Sequence, residues 1–136
     1  MTSAVTVSEV CRQEYQALKL GKHKYVIFNL SEDNTEIVVE KVSSSAEYED
    51  FIADLPETEC RWGVYDFEYE TEAGKQKELV FVSWSPDAAK IKQKMLFAAS
   101  QEELRRSLKD IAIDIKGIEL SEVAYESVLG KARRGN

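Results

Sequence analysis

The chain is 136 residues long, with 43% hydrophobic and 32% charged residues and a formal net charge of −7 at pH 7. This length fits one domain with one core, and the negative charge argues against a general nucleic-acid binder. No apolar run approaches the roughly 20 residues of a transmembrane segment, and the N-terminus is too short and uncharged for a signal peptide.

Charge is distributed unevenly along the chain. Residues 1–70 hold 6 basic and 15 acidic side chains, a net charge of −9. Residues 71–136 hold 12 basic and 10 acidic side chains, a net charge of +2. We therefore expect an acidic partner to be met by the C-terminal half of the chain.

No repeat, low-complexity tract or linker divides the chain, so residues 1–7 are predicted to be a flexible tail and residues 8–136 a single domain. Cys11 and Cys60 fall in segments that otherwise resemble a helix and a strand. They form either a disulfide or two reduced core residues. The second interpretation is favoured, because free cysteine packs as a small hydrophobe and no secretory signal precedes it. This predicts the cytoplasm and leaves the nucleus open.

The first predicted elements are a helix and a hairpin. Ser8 can cap a helix that Gly21 ends. The β-rich runs 25–28 and 37–39 flank the turn-forming segment 31–34, which predicts a β-hairpin.

A second helix and a second pair of strands follow. Ser44 and Glu47 form a capping-box pattern before a helix that ends at Pro56. Residues 61–70 alternate as a strand, and the apolar run 79–82 suits a strand covered on both faces.

The last third of the chain predicts a helix, a strand and a helix. Residues 85–87, Ser-Pro-Asp, are a helix start, and the helix should run to about Leu108. Ile111–Ile115 alternates as a short strand, and Ser121 is placed to cap the last helix. The order predicts an α/β fold of the α+β type, with a central mixed sheet of about five strands flanked by helices on both faces.

The helix at 88–108 carries apolar side chains in two directions. One stripe would face the core: Phe97, Leu104 and Leu108. The other lies on nearly the opposite side: Ile91, Met95, Ala98 and Ala99. Cations border this second stripe, Lys94 and Arg105 along one edge and Lys92 and Arg106 along the other.

An apolar strip with a charged periphery is typical of a protein-interaction face. A helix that packs on a sheet needs only one apolar stripe. The alternative is a helix buried on both sides, and these residues alone favour neither reading. Ser100 and Glu103 also resemble a capping box, so a helix that restarts at Ser100 is a further possibility.

No constellation predicts catalysis, a metal site or a cofactor. His23 is the only histidine and is expected to be solvated between two lysines. One histidine and two distant cysteines do not make a zinc site. Asp66, Glu68 and Glu70 alternate onto one strand face, which we interpret as a solvated face rather than paired catalytic carboxylates. The sequence therefore predicts a binding protein and not an enzyme.

Eight segments, in order and spread over essentially the whole chain, resemble the actin-depolymerising factor/cofilin family. They are LKLGK at 18–22, TEIVV at 35–39, LPE at 55–57, YDFEY at 65–69, WSPD at 84–87, KQKM at 92–95, LRR at 104–106 and SEVAY at 121–125. The resemblance implies the actin-depolymerising factor homology fold. It also implies a monomeric protein of the actin cytoskeleton that binds monomeric and filamentous actin, prefers ADP-bound subunits, and severs and depolymerises filaments.

The resemblance also implies site residues, and these include the cations that border the second stripe. The implied monomer-binding surface is Ser3, Ala4, Val5, Ile91, Lys92, Lys94, Met95, Arg105 and Arg106. The implied filament-binding surface is Lys75, Lys77, Lys131 and Arg134. Ser3 matches the family's inhibitory phosphorylation site. The implied phosphoinositide site is Lys92, Lys94, Arg105 and Arg106.

Two positions depart from the family pattern. Glu78 stands where a cation is common, and Gly130 stands where an acidic residue is common, inside the predicted last helix. They favour one alternative, a monomer or filament-side binder of the same fold with weak severing. A separate alternative is a phosphoinositide-regulated peripheral binding module, which the negative net charge disfavours.

Overall fold

The computed structural model describes residues 5–134, which form one mixed six-stranded sheet with helices on both faces. The strands are β1 Thr6–Val7, β2 Tyr25–Leu30, β3 Glu36–Ser43, β4 Arg61–Thr71, β5 Gly74–Trp84 and β6 Ile113–Gly117. The helices are α1 Glu9–Lys19, α2 Tyr48–Ala53, α3 Ile91–Ser107, α4 Leu120–Val123 and α5 Tyr125–Arg133. Within the described residues, none of these helices has the length and apolarity to cross a membrane.

The strand order is β1-β3-β2-β4-β5-β6, in which β1 and β6 pair in parallel with their neighbours and the other pairs are antiparallel. This confirms the predicted single domain of the α+β type. The sheet has six strands rather than about five, because the additional strand β1 is only two residues long and too short to leave a pattern in the sequence.

Strand β1 lies in the segment predicted to be a flexible tail. Thr6 and Val7 pair with Glu36 and Ile37 of β3, and the side chain of Val5 is buried. The ordered domain therefore begins before Ser8. Residues 1–4 of the predicted tail lie outside the described residues.

Two apolar clusters occupy the two faces of the sheet. Helices α1 and α3 cover one face, where Trp62 and Phe97 are buried. Helices α2, α4 and α5 cover the other face, where the aromatic rings of Tyr48 and Phe67 pack. A strand between two such layers is covered on both sides, which explains the continuous apolar run in β5.

Both cysteines are buried and free, as the favoured interpretation predicted. Cys11 and Cys60 belong to the cluster beneath α1 and α3. Burial raises the pKa of the Cys11 thiol to about 11 and also raises the pKa of Cys60. Both side chains therefore behave as small apolar core residues.

The predicted helix caps are right at α1 and wrong at α2. The Ser8 hydroxyl accepts a hydrogen bond from the backbone N–H of Val10 at 3.1 Å. Helix α2 starts at Tyr48 without a side-chain cap. The Ser44 hydroxyl instead donates to the carbonyl of Lys22, in the segment that precedes β2. The capping box of Ser44 and Glu47 is therefore not formed.

The predicted start of the long helix at Ser85 is also wrong. The backbone N–H of Ala89 donates to the carbonyl of Pro86 and closes a single turn. Lys90 then adopts an extended conformation, with φ −66° and ψ 142°, so that α3 starts only at Ile91. Because proline and a capping serine favour a turn as well as a helix start, the sequence did not separate the two.

The predicted last helix is two helices. Ala124 has ψ 153° and separates α4 from α5. The cap of α4 is a reciprocal pair between Glu119 and Glu122 instead of the predicted Ser121. Glu122 accepts hydrogen bonds from the N–H groups of Ile118 and Glu119, and these bonds lower the pKa of its carboxyl.

Candidate functional site

Helix α3 is fixed to the sheet by its inner stripe. Phe97 stacks on Trp62 of β4 with ring centroids 4.1 Å apart and an interplanar angle of 15°. The Trp62 Nε1–H donates to Gln101 one turn further along α3. Leu104 and Leu108 are buried in the same cluster. The inner stripe therefore lies where the apolar periodicity predicted it.

The outer stripe of α3 is exposed. Ile91 is 74% and Met95 is 67% exposed, and Ala98 and Ala99 also face away from the core. The alternative of a helix buried on both sides is therefore wrong. The helix does not restart at Ser100, because its hydroxyl donates to the carbonyl of Leu96 and the backbone stays helical.

The two lysines beside the outer stripe differ in their contacts. Lys92 is exposed and has no ion pair or hydrogen bond to a residue between 5 and 134. The Lys94 amino group donates to the carbonyl of Asp87 at 3.0 Å, which links α3 to the turn that precedes it. Lys92 is therefore free to meet a partner, whereas Lys94 is already engaged.

The two arginines at the end of α3 both carry intramolecular ion pairs. Arg105 makes a bidentate contact with Asp114 of β6, at 2.8 and 3.1 Å, and its guanidinium lies 5.8 Å from the Phe81 ring centroid. The hydrogen bonds to Asp114 raise the pKa of Arg105. Arg106 pairs with Glu103 at 2.6 Å. Arg105 is thus paired with β6, at the edge of the outer stripe on the side of Ala98.

Two clefts flank α3. The first, of about 820 Å³, separates α3 from the β2–β3 turn and is lined by Asn34, Lys92 and Met95 among others. The second, of about 630 Å³, separates α3 from the segment after β6 and is lined by Lys94, Ala98 and Ile118 among others. The outer stripe is thus a ridge between two grooves.

Two exposed apolar residues in the segment after β6 were not predicted as site residues, and the first of them, Ile118, lines the second cleft. Ile118 is 48% exposed and Leu120 is 50% exposed. The sequence did contain a signal for this segment. Buried residues alternate at the odd positions from Ile113 to Gly117, and the apolar residue Ile118 at an even position breaks this alternation. The Glu122 carboxylate fixes this segment through the N–H of Ile118.

The predicted filament-binding residues lie around the β4–β5 hairpin and α5. Lys75 is exposed and lines a cleft of about 380 Å³ with Tyr125 and Arg133 of α5. Lys131 donates to the carbonyl of Asp114, and the exposed Arg134 follows the last turn of α5. The structure therefore brings Lys75 close to Arg133, whereas Lys131 and Arg134 line a separate cleft beside β6.

The remaining filament-surface prediction, Lys77, is engaged with another residue. Its amino group lies 3.2 Å from a carboxylate oxygen of Asp66. The neighbouring Glu78 accepts a hydrogen bond from Tyr69 at 2.9 Å, and the same hydroxyl lies 3.4 Å from the Ala132 carbonyl of α5. The hairpin is thereby fastened to α5.

Two polar residues are less solvated than the sequence predicted. Asp66 is 3% exposed, whereas Glu68 and Glu70 on the same strand are exposed as expected. His23 is partly buried and lies 2.6 Å from Glu14. Alternation identifies a strand face but not how far other segments of the chain cover it. Among residues 5–134, no group of three or more possible ligands could hold a metal ion.

The N-terminal part of the predicted monomer surface is only partly described. The Val5 side chain is buried in the cluster beneath α1 and α3 and is not available as a contact. Ser3 and Ala4 lie outside the described residues. Val5 therefore anchors the chain that leads to them.

The fold, a mixed six-stranded sheet with helices on both faces, is that of an actin-depolymerising factor homology domain. The family model for cofilin/tropomyosin-type actin-binding protein matches residues 4–133. The chain belongs to this family. It is accordingly an actin-binding protein that severs and depolymerises filaments, and not an enzyme.

Proteins of similar sequence and structure match this chain over nearly its full length. The cofilin of Mycosarcoma maydis is 53% identical, covering 98% of this chain and 98% of the relative, and the cofilin of Schizosaccharomyces pombe is 47% identical, covering 97% of each. The crystal structure of Streptomyces griseoflavus cofilin has a TM-score of 0.92 at 59% identity, covering 97% of this chain and 99% of that one. The crystal structure of Plasmodium berghei actin depolymerization factor 2 has a TM-score of 0.83 at 30% identity, covering 97% of each chain.

Proposed function

We propose that the outer stripe of α3 is the surface on which this protein binds an actin monomer. The observation that carries the proposal is the exposure of Ile91 and Met95 on a helix whose opposite side is firmly packed. Burying one such side chain against a partner contributes roughly 1.5 to 3 kcal/mol. Met95 has an unbranched side chain that adapts to an irregular surface, and the free cation of Lys92 lies beside it.

Ile118 and Leu120 extend the proposed monomer-binding surface across the second cleft. They are exposed, and Ile118 lines the same groove as Ala98 of α3. A partner that covers the ridge of α3 and fills this groove would contact both walls of the groove. We therefore add these two residues to the surface implied by the resemblance.

We propose a second surface for the filament, formed by Lys75 of the hairpin and the basic end of α5 at Lys131 and Arg134. Lys77, the fourth predicted residue, is considered separately below because of its contact with Asp66. The specific observation that favours weak severing is Glu78, whose carboxylate is held by Tyr69 where the family pattern has a cation. A carboxylate at this place would weaken contact with an acidic filament surface.

We propose that phosphorylation of Ser3 weakens actin binding. A phosphate would add about −1.5 to −2 charge only two residues from the buried anchor Val5, next to a partner that is acidic at this surface. The variant Ser3→Asp should therefore bind actin more weakly in a co-sedimentation assay. Equal affinity of the variant and the unmodified protein would contradict this proposal.

The resemblance also implies a nucleotide preference, an oligomeric state, a location and a competing ligand. We propose that ADP-bound actin is preferred, that the protein acts as a monomer at the cytoplasmic actin cytoskeleton, and that phosphoinositides compete with actin on α3. Of the four predicted headgroup ligands, Arg105 and Arg106 already carry ion pairs. Headgroup binding would therefore rest on Lys92, and on Lys94 if its amino group exchanges the Asp87 carbonyl for a phosphate. Entry into the nucleus is a further proposal.

The test is to watch single labelled actin filaments in the presence of the protein and of the variant Lys92→Ala/Lys94→Ala. The matched control is Lys22→Ala/Lys109→Ala, which removes the same charge from two exposed lysines on other parts of the chain. Severing by the native protein and by the control, but not by the α3 variant, would support the proposal.

Other outcomes separate the alternatives. Filaments that are decorated but rarely broken would indicate the weak-severing binder. No response of actin to the native protein would contradict the proposed function. Binding to phosphoinositide vesicles would then be measured as the remaining candidate activity.

A further inference from the structure

The two hairpin lysines at positions 75 and 77 face different neighbours. Lys75 lines the cleft that Tyr125 and Arg133 of α5 also line. Lys77 lines a separate cleft, of about 380 Å³, with Lys19 of α1 and Asp110. The two side chains therefore line different clefts, and only the cleft of Lys75 is shared with residues of α5.

The group that Lys77 contacts is a buried carboxylate. Asp66 lies opposite Leu79 in the register of β4 and β5, so Lys77 is its diagonal neighbour on the same strand face. The Lys77 amino group lies 3.2 Å from Asp66 Oδ2, and the Asp66 side chain is 4% exposed. Asp66 Oδ1 has no hydrogen-bond partner among the described residues.

A carboxylate removed from water in this way is costly unless a cation compensates it. The neighbouring cations that the structure describes are committed to other carboxylates. Lys24 lies 3.4 Å from Glu68, and Lys19 lies 2.7 Å from Asp110. Lys77 is thus the cation that neutralises Asp66, and moving it towards an acidic partner would leave Asp66 unpaired in the fold.

We infer that Lys77 is the structural counter-ion of Asp66 and that the hairpin meets the acidic surface of an actin filament through Lys75 alone. The second half of this inference rests on the proposed filament surface. The first half concerns only the fold and stands independently of it. Lys77 is therefore a positioning residue, and a loss of filament binding on its removal would be an indirect effect of unfolding.

The two partners of this ion pair are unequally buried, which distinguishes the pair from a contact between two surface residues. Asp66 is buried, whereas the Lys77 side chain is 51% exposed. Removal of the lysine charge strands a buried carboxylate, but removal of the carboxylate charge leaves a lysine that water can solvate. The cost of the two single changes should therefore differ strongly, and the change of Asp66 should cancel most of the cost of changing Lys77.

The experiment is a double-mutant cycle measured by urea unfolding. Lys77→Met keeps the apolar stem and removes the charge, and it should raise the unfolding equilibrium constant roughly tenfold to a hundredfold. Asp66→Asn should change it only a few-fold. The double variant Asp66→Asn/Lys77→Met should resemble Asp66→Asn. Equal stability of Lys77→Met and the native protein would overturn the counter-ion role.

The contact role is then tested by filament co-sedimentation of the folded variants. Lys75→Met is matched to Lys77→Met in charge and shape, and it should weaken filament binding a few-fold and reduce its salt dependence, with stability unchanged. The double variant Asp66→Asn/Lys77→Met should bind as the native protein does. If it is folded but binds weakly, Lys77 is a filament contact and the inference is wrong.

The counter-ion role of Lys77 and the proposed filament surface can be disproved independently of each other. If the native protein does not sediment with filaments, the proposed filament surface is wrong, whereas the unfolding cycle still decides the role of Lys77. If Lys77→Met does not fold at all, the double variant decides, because the counter-ion role requires that it regain stability.

Discussion

The α3 ridge and the hairpin–α5 surface are built in different ways. The ridge is positioned by buried aromatic packing, Phe97 on Trp62, and its outward residues Ile91 and Met95 make no contribution to that packing. The hairpin–α5 surface is positioned by polar contacts at its own edge, such as that of Tyr69 with Glu78. On α3, the residues proposed to bind a partner are therefore different from those that stabilise the fold. On the hairpin, the two sets of residues overlap.

The difference shows why a count of basic residues overestimates a binding surface. A cation that already carries an ion pair must exchange it for a partner's carboxylate, so that the net gain is small. Arg105 and Lys77 are in this position, whereas Lys92 and Lys75 have no ion pair within residues 5–134. We therefore expect free and engaged cations to respond differently to substitution.

The largest expected effect tests the packing that supports the ridge. Phe97→Ala should reduce the free energy of unfolding by about 3 to 5 kcal/mol, because it removes the ring stacked on Trp62 and leaves a cavity. Met95→Ala is the matched control on the outer stripe and should change stability by less than about 0.5 kcal/mol. Urea unfolding measures both. Equal losses would show that the outer stripe is part of the core after all.

A somewhat smaller effect is expected at the groove beside the ridge. A Cβ atom added at Gly117 would lie 2.6 Å from a methyl carbon of Val123. Gly117→Ala should therefore cost about 1 to 3 kcal/mol and displace the segment that carries Ile118 and Leu120. Weaker binding of actin monomers by the folded variant would show that this segment belongs to the α3 surface. Unchanged monomer binding would confine the surface to the ridge.

The ion pair of Arg105 tests the distinction between engaged and free cations. Arg105→Ala should lower the free energy of unfolding by about 1 kcal/mol, since it removes a partly exposed pair and the contact with Phe81. Monomer affinity should change little. In contrast, Lys92→Ala should lower monomer affinity and leave stability unchanged. A strong loss of affinity in folded Arg105→Ala would make Arg105 a contact and break the distinction.

The sequence predicted the architecture and the ridge because both follow from periodicity. Phe97 and Met95 lie two residues apart, so their opposite directions follow from helix geometry alone. What the sequence did not predict depends on contacts between distant segments. The burial of Asp66 depends on how segments distant in the sequence pack around β4, and the ion pair of Arg105 depends on where β6 places Asp114. The start of α3 at Ile91 depends on the extended backbone of Lys90, which no local rule requires.

The smallest expected effect concerns Gly130, where the chain departs from the family pattern. The residue lies inside α5, and a Cβ atom there would meet only an Arg134 side-chain nitrogen at 3.6 Å, an ordinary contact. Gly130→Ala should therefore stabilise the protein by about 0.5 to 1 kcal/mol, because glycine has the greater backbone entropy in the unfolded chain. Thermal unfolding should show a higher midpoint, and a lower one would mean that the last turn of α5 is not helical in solution. If Gly130→Ala also strengthens filament binding while monomer binding stays constant, then order at the end of α5 contributes to the hairpin–α5 surface and not to the ridge.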